Sequence, residues 1–226
     1  MRRSMDESRG SIMLRDLALS SSLAEDALSG RFFAFEGIDG SGKSTISQAF
    51  ADRLESDGKS VVRTAEPTPT WLGEQVRRGN REARSEFAEM FLYVADRAEH
   101  SVRIAEWLKA GRSVVCDRYV GSTLAYQSVT LRPYLGGRAL EWLRTVNDPI
   151  IVRPDVTVLL KIEPEVAVER IAGRREREKF EHVEFLRKVA MVYARLAAED
   201  PTYLVVDAMA SQEEVLEQVW EQIGKY

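Results

Sequence analysis

From Arg31 onward the apolar positions fall into two kinds of stretch. Short, nearly continuous apolar runs occur at RFFAFEG (31–37), SVVRTAEP (60–67), GRSVVCDRY (111–119), DVTVLLKIEP (155–164) and TYLVVDA (202–208). Each is strand-length and stops at a charge, a proline or a glycine, so each predicts a strand. Between them lie stretches with helical spacing: 44–58, 85–110, 122–129, 138–147, 164–175, 184–199 and 211–224, the last capped by Ser211. Strands apolar on both sides must be covered on both faces. Strand alternating with helix then predicts an α/β fold with a five-stranded parallel sheet flanked by helices in three layers. No internal repeat interrupts the pattern.

Residues 1–30 stand apart. IMLRDLAL and LAEDALSG are weakly amphipathic and flank Ser20–Ser22, but no core pattern develops. The expectation is a frayed N-terminal extension over 1–30, followed by one domain over 31–226. Asp6, Glu7, Asp16, Glu25 and Asp26 do not suit a transit peptide, and no apolar run approaches a membrane span. A cytoplasmic protein with no membrane partner is expected. The net charge of -4 argues against nucleic acid held by charge alone, while leaving room for a small anion in a local basic pocket. The single cysteine, Cys116, permits no internal disulfide. His100 and His182 have no neighbours at metal-ligand spacing and read as ordinary surface or capping residues.

Candidate chemistry concentrates where the first strand meets the first helix. Gly37-Ile-Asp-Gly-Ser-Gly42-Lys43-Ser44 matches G-x-x-x-x-G-K-[ST]. Average residue usage would produce the four fixed positions in roughly one chain of this length in a hundred. The apolar strand before and the helix after make chance rarer still. Glycines let phosphate oxygens approach backbone N–H groups, and the helix N-terminus adds its positive dipole end. The loop residues Gly37, Ile38, Asp39, Gly40, Ser41, Gly42, Lys43, Ser44 and Thr45 are therefore expected to cradle a nucleoside triphosphate. Lys43 would reach its outer phosphates, and Ser44 would offer a hydroxyl to Mg²⁺.

Further along come AEPT (65–68), ADRAEH (95–100), DRYVGSTLAYQ (117–127) and REKFEHVEFLRKV (177–189). With EGIDGSGKST (36–45) they occur in an order and spacing that resembles the thymidylate kinases. These are P-loop enzymes that phosphorylate dTMP to dTDP with ATP, and the REKFE form is closer to their archaeal branch. The resemblance covers residues 31 to 226, and DRYVGSTLAYQ is its most specific part. It implies ATP as phosphate donor, Mg²⁺, dTMP as acceptor, no nucleic-acid partner and a homodimer.

The resemblance also implies residue roles. Arg97 and Arg118 match the acceptor-side arginines, whose guanidinium forks suit phosphate oxygens. Read alone, Arg97 serves equally well as an ion pair on an exposed helix face. Tyr93 matches an aromatic that stacks on the base, and alone it reads as a core ring. Ser122 and Gln127 match positions near the base, and Tyr126 matches a ring packed under the sugar. Asp39 would accept a hydrogen bond from the acceptor's 3′-hydroxyl, although Asp is also an ordinary turn former. Asp117 would support Mg²⁺ at the end of the third strand, and Glu66 matches the family's Glu-Pro on the acceptor side. Arg174, Arg175 and Arg177 match a flexible lid over ATP, approximately 172–181, where the alternating charges equally describe a solvated surface. Gly40 stands where some members carry a basic residue, so a lid arginine (Arg174 or Arg177) is expected to supply the transition-state charge. Ala65 and Ala190 replace arginines common in the family. Competing expectations are a kinase for another pyrimidine monophosphate or a deoxynucleoside, and a nucleotide-dependent switch. No Asn-Lys-x-Asp element supports the switch.

Overall fold

A computed structural model describes residues 30–171 and 183–223. Most of the N-terminal extension, the expected lid with Arg174, Arg175 and Arg177, and His182 lie outside the described residues. Five strands form one all-parallel sheet: β1 (Phe32–Glu36), β2 (Val61–Ala65), β3 (Ser113–Asp117), β4 (Val156–Lys161) and β5 (Tyr203–Asp207), in the order β2-β3-β1-β4-β5. The helices are α1 (Lys43–Ser56), α2 (Trp71–Glu82), α3 (Glu86–Lys109), α4 (Val120–Thr130), α5 (Arg132–Leu135), α6 (Ala139–Asn147), α7 (Pro164–Ile171), α8 (Val183–Glu199) and α9 (Gln212–Ile223). All five expected strands are present, and the sheet is parallel as the pattern predicts. No described helix is long and apolar enough to cross a membrane.

Side chains of β1 alternate between two cores. Phe33 and Phe35 meet Phe50 of α1, which in turn touches Trp220 of α9. Phe32 and Ala34 point the other way, into a cluster with Ile104 of α3, Val114, Cys116 and Tyr119. Each fully buried phenylalanine contributes about 1.5–3 kcal/mol, so this central strand anchors both layers. Burial pushes the Cys116 thiol well above its ordinary value, as befits a core residue.

The pattern does not predict α2. Its sequence WLGEQVRRGNRE carries two glycines and little apolar surface, a poor helix by composition. The buried stripe is Gly73, Val76 and Gly79. A Cβ on Gly73 would sit 1.8 Å from the Thr68 carbonyl oxygen, and one on Gly79 would sit 2.5 Å from Leu92 Cδ1. Close approach to α3 and to the loop after β2, rather than helix propensity, selects these residues. That loop is pinned in turn: Arg77 donates to the carbonyls of Pro67 and Thr68, and Asp96 accepts from the Thr68 N–H at 2.8 Å. Gly73→Ala should therefore lower unfolding free energy in a urea titration by about 2–3 kcal/mol, the range for overpacking against rigid backbone. A loss below about 0.5 kcal/mol would show that the loop is free to move aside.

Candidate active site

The carboxyl ends of β1 and β3 lie side by side, with Phe35 paired to Asp117. In open parallel sheets this edge is where ligands bind. Gly37, Gly40 and Gly42 adopt φ of 145°, 86° and 90°, the left-handed region that favours glycine. Gly42 caps α1 without a side-chain hydrogen bond, which leaves the first-turn N–H groups open to an anion. The Lys43 ammonium is buried and donates to the Ile38 carbonyl at 2.8 Å. Burial, and then the nearby Arg118, lower its pKa to about 8 against the opposing pull of Asp39, Asp117 and Glu36. An incoming polyanion would raise it again.

Ser44, exposed in the first turn of α1, donates its hydroxyl to Asp117 Oδ2 at 2.5 Å. Asp117 Oδ1 is buried and has no hydrogen-bond partner. A hydroxyl and a carboxylate held together, with one orphaned acidic oxygen, suit a hard divalent cation and its water.

The next residue, Arg118, has φ of 67° and is the one non-glycine with positive φ among the described residues. That conformation costs about 1–3 kcal/mol and persists where surroundings enforce it. It turns the side chain toward the glycine loop, where Arg118 pairs with Asp39. Burial pushes the Asp39 carboxyl up, but Arg118 and Lys43 outweigh that and hold it below the usual carboxylate range. Tyr126 donates to Asp39 Oδ2 at 2.9 Å and accepts from the Asp39 N–H at 3.0 Å. The Arg118 guanidinium lies over the Tyr126 ring and donates to Ser122 Oγ at 3.2 Å. Asp39, Arg118, Ser122 and Tyr126, expected on the acceptor side, thus come together beside Lys43 and Ser44.

Glu66 and Arg97 also meet, but below the surface. Arg97 is 1% exposed, against 23% for the Arg118 side chain. It is therefore not an ion pair on an outer helix face. Its Nη2 donates to Glu66 Oε2 at 2.6 Å and to Thr123 Oγ1 at 2.9 Å, and Nη1 donates to Asn147 Oδ1 at 2.9 Å. His100 joins this network, with Nδ1 2.9 Å from Glu66 Oε1 and Nε2 2.7 Å from Thr64 Oγ1. That corrects the surface reading of His100: a helix face can point a lone histidine inward when a carboxylate waits there. Tyr93 stands on α3 one turn before Arg97, half-buried, and its hydroxyl accepts from Asn80 Nδ2 of α2 at 2.9 Å. Gln127 is buried on α4.

Sequence reasoning missed Glu36, Tyr119, Tyr193 and Arg170. Glu36 closes an otherwise apolar strand and is 1% exposed, which was a legible signal, since a buried carboxylate needs partners. Arg170 donates to the Ala208 carbonyl at 3.0 Å and lines a cavity of about 390 Å³ beside Gly40, Gly42, Thr45 and Ser211. This cavity lies beside the glycine loop.

A family model described as thymidylate kinase matches residues 35–219. The chain belongs to the thymidylate kinase family. A probable thymidylate kinase of Methanosarcina mazei is 41% identical over 200 residues, 87% of this chain and 97% of that protein. One of Pyrococcus abyssi is 38% identical over 201 residues, covering 84% and 94%. A thymidylate kinase of Solidesulfovibrio magneticus is 38% identical over 213 residues, covering 86% and 99%. The relatives are mainly archaeal, in keeping with the REKFE form.

Within that family the glycine at position 40 has a local cause. A Cβ there would lie 2.3 Å from the Ala167 carbonyl oxygen of α7, at a φ that disfavours any side chain. Gly40→Arg should lower unfolding free energy by about 2 kcal/mol or more in a urea titration. An unchanged midpoint would show that α7 yields easily.

Proposed function

We propose that the protein transfers the γ-phosphoryl group of ATP to dTMP, giving dTDP and ADP, with Mg²⁺. One observation supports this reading above others: the Asp39–Arg118–Tyr126 cluster built directly against the glycine loop. A triphosphate alone would be repelled by Asp39, so the carboxylate belongs to a second ligand that carries a hydroxyl to donate. Arg118, the accessible one of the two expected acceptor arginines, suits the phosphate of that ligand. A nucleoside 5′-monophosphate supplies both groups. Tyr126, held by Asp39, forms a floor for its sugar, and Tyr93 and Gln127 are assigned to its base.

On the donor side the cavity by Arg170 and Ser211 receives the nucleoside, and the open N–H groups before α1 receive the phosphates. Bound Mg²⁺, held through Ser44 with Asp117 in support, would neutralise charge on the donor phosphates. Lys43 adds a cation at the same point. Phosphoryl transfer asks mainly for alignment and cancelled charge, and the proximity of Lys43 and Arg118 supports that reading. Arg174, Arg175 and Arg177 are assigned to closure over the donor by family resemblance.

A homodimer fits the exposed end of an aromatic cluster. Phe87 touches Tyr134 and Trp142, Phe91 touches Trp142, and Phe91 and Tyr134 are half exposed or more. Met90, between Phe87 and Phe91 in sequence, belongs wholly to the monomer core.

The deciding experiment is a coupled ADP-release assay with ATP and Mg²⁺ against dTMP, dUMP, UMP, dCMP, thymidine and no acceptor. Turnover should be dominated by dTMP, and Lys43→Ala should reduce it at least about a thousandfold while far-UV circular dichroism is retained. Release indifferent to acceptor would instead indicate an ATPase or switch. Arg118→Ala should raise the KM for dTMP about tenfold to a hundredfold with little change in the KM for ATP, as expected for a lost charge-assisted contact. The reverse pattern would move Arg118 to the donor side.

A further inference from the structure

The Arg118 turn and the start of α4 pose a support problem. Arg118 holds a costly backbone conformation, and α4 begins immediately after it with Tyr119 as its N-cap. Tyr119 offers no capping side-chain hydrogen bond, so the first N–H groups of α4 need an acceptor from elsewhere. Glu36 of β1 provides it. Its Oε1 accepts from the Tyr119 N–H at 2.9 Å and the Ser122 N–H at 3.0 Å. Its Oε2 accepts from the Ser122 hydroxyl at 2.7 Å and the Tyr193 hydroxyl of α8 at 2.9 Å. A side chain at Gly121 would come 2.8 Å from Oε1, so the first turn of α4 is moulded around this carboxylate. A negative charge at a helix N-terminus is also favourable to the dipole.

We propose that Glu36 is a positioning residue of the acceptor site, capping α4 in trans and so fixing where Arg118, Ser122 and Tyr126 point. This rests on the reading of the protein as a nucleoside monophosphate kinase. Glu36 is 1% exposed and acts through the Tyr119 and Ser122 N–H groups and through the Ser122 hydroxyl, which Arg118 also uses. The Tyr193 hydroxyl is the second support, joining α8 to the same carboxylate.

The test compares Glu36→Ala, Glu36→Gln and Tyr193→Phe by steady-state kinetics in the full chain, with dTMP and ATP varied separately. Glu36→Ala should raise the KM for dTMP and lower kcat/KM for dTMP by about a hundredfold, while the KM for ATP changes less than about threefold. Glu36→Gln should recover most of the loss. Its carbonyl can take the two N–H groups, and its amide can donate to hydroxyls that also accept. Tyr193→Phe leaves the ring in place and should raise the KM for dTMP by roughly three- to tenfold. Equal losses for both substrates, or no change in the KM for dTMP in any variant, would overturn the proposal. Should Glu36→Ala not fold, the substrate split in Glu36→Gln and Tyr193→Phe decides it alone. Wild-type protein without dTMP-dependent turnover would be a separate result, failing the kinase reading and this proposal with it.

Discussion

Everything chemical in this protein hangs from two adjacent parallel strands that end at the same level. Because β1 and β3 are neighbours in register, the turn after Glu36 and the turn after Asp117 emerge side by side. The first becomes a cradle of backbone N–H groups. The second throws one carboxylate toward Ser44 and one guanidinium toward Asp39. A one-residue slip would reverse the faces of β3 and bury Arg118 where Asp117 belongs. The phenylalanines of β1, which fill both cores, make that slip costly.

That placement creates an electrostatic difficulty. Buried Lys43 lies near half-buried Arg118, and their repulsion contributes to the lowered pKa of Lys43. The site answers with three carboxylates at graded depth: Asp39 paired to Arg118, Asp117 held by Ser44, and Glu36 behind both. Burial pushes the Glu36 carboxyl above its ordinary value, and its hydrogen bonds offset only part of that. Each cation thus has carboxylates close to it. An anion bound here would meet cations that already have partners rather than bare buried charges.

Elements that obey periodicity were legible in the sequence. The five strands, α1, α3, α8 and α9 follow from alternation of apolar runs with helical spacing, and the glycine loop follows from its fixed positions. The cluster of Asp39, Arg118, Ser122 and Tyr126 was legible through family resemblance; nothing in spacing alone brings residues 39 and 118 together. The hidden features share a physical cause: they are tertiary. Helix α2 exists because glycines permit close packing, which composition scores as a breaker. Glu36, Tyr193 and Arg170 act through partners far along the chain. His100 turned inward because Glu66, thirty-four positions away, receives it.

The Glu66–Arg97–His100 network shows what such hidden partners accomplish. A fully buried ion pair is a weak source of stability, since desolvation of both charges cancels most of the attraction. What the network does supply is geometry. Arg97 bonds at once to the end of β2 through Glu66, to α4 through Thr123, and to the end of α6 through Asn147. Directional hydrogen bonds fix the angles between these three elements more narrowly than dispersion contacts alone. Arg97 and Glu36 therefore both grip α4, one through Thr123 and the other through the first-turn N–H groups. The helix that carries Ser122, Tyr126 and Gln127 is fixed by buried polar bonds at its first turn.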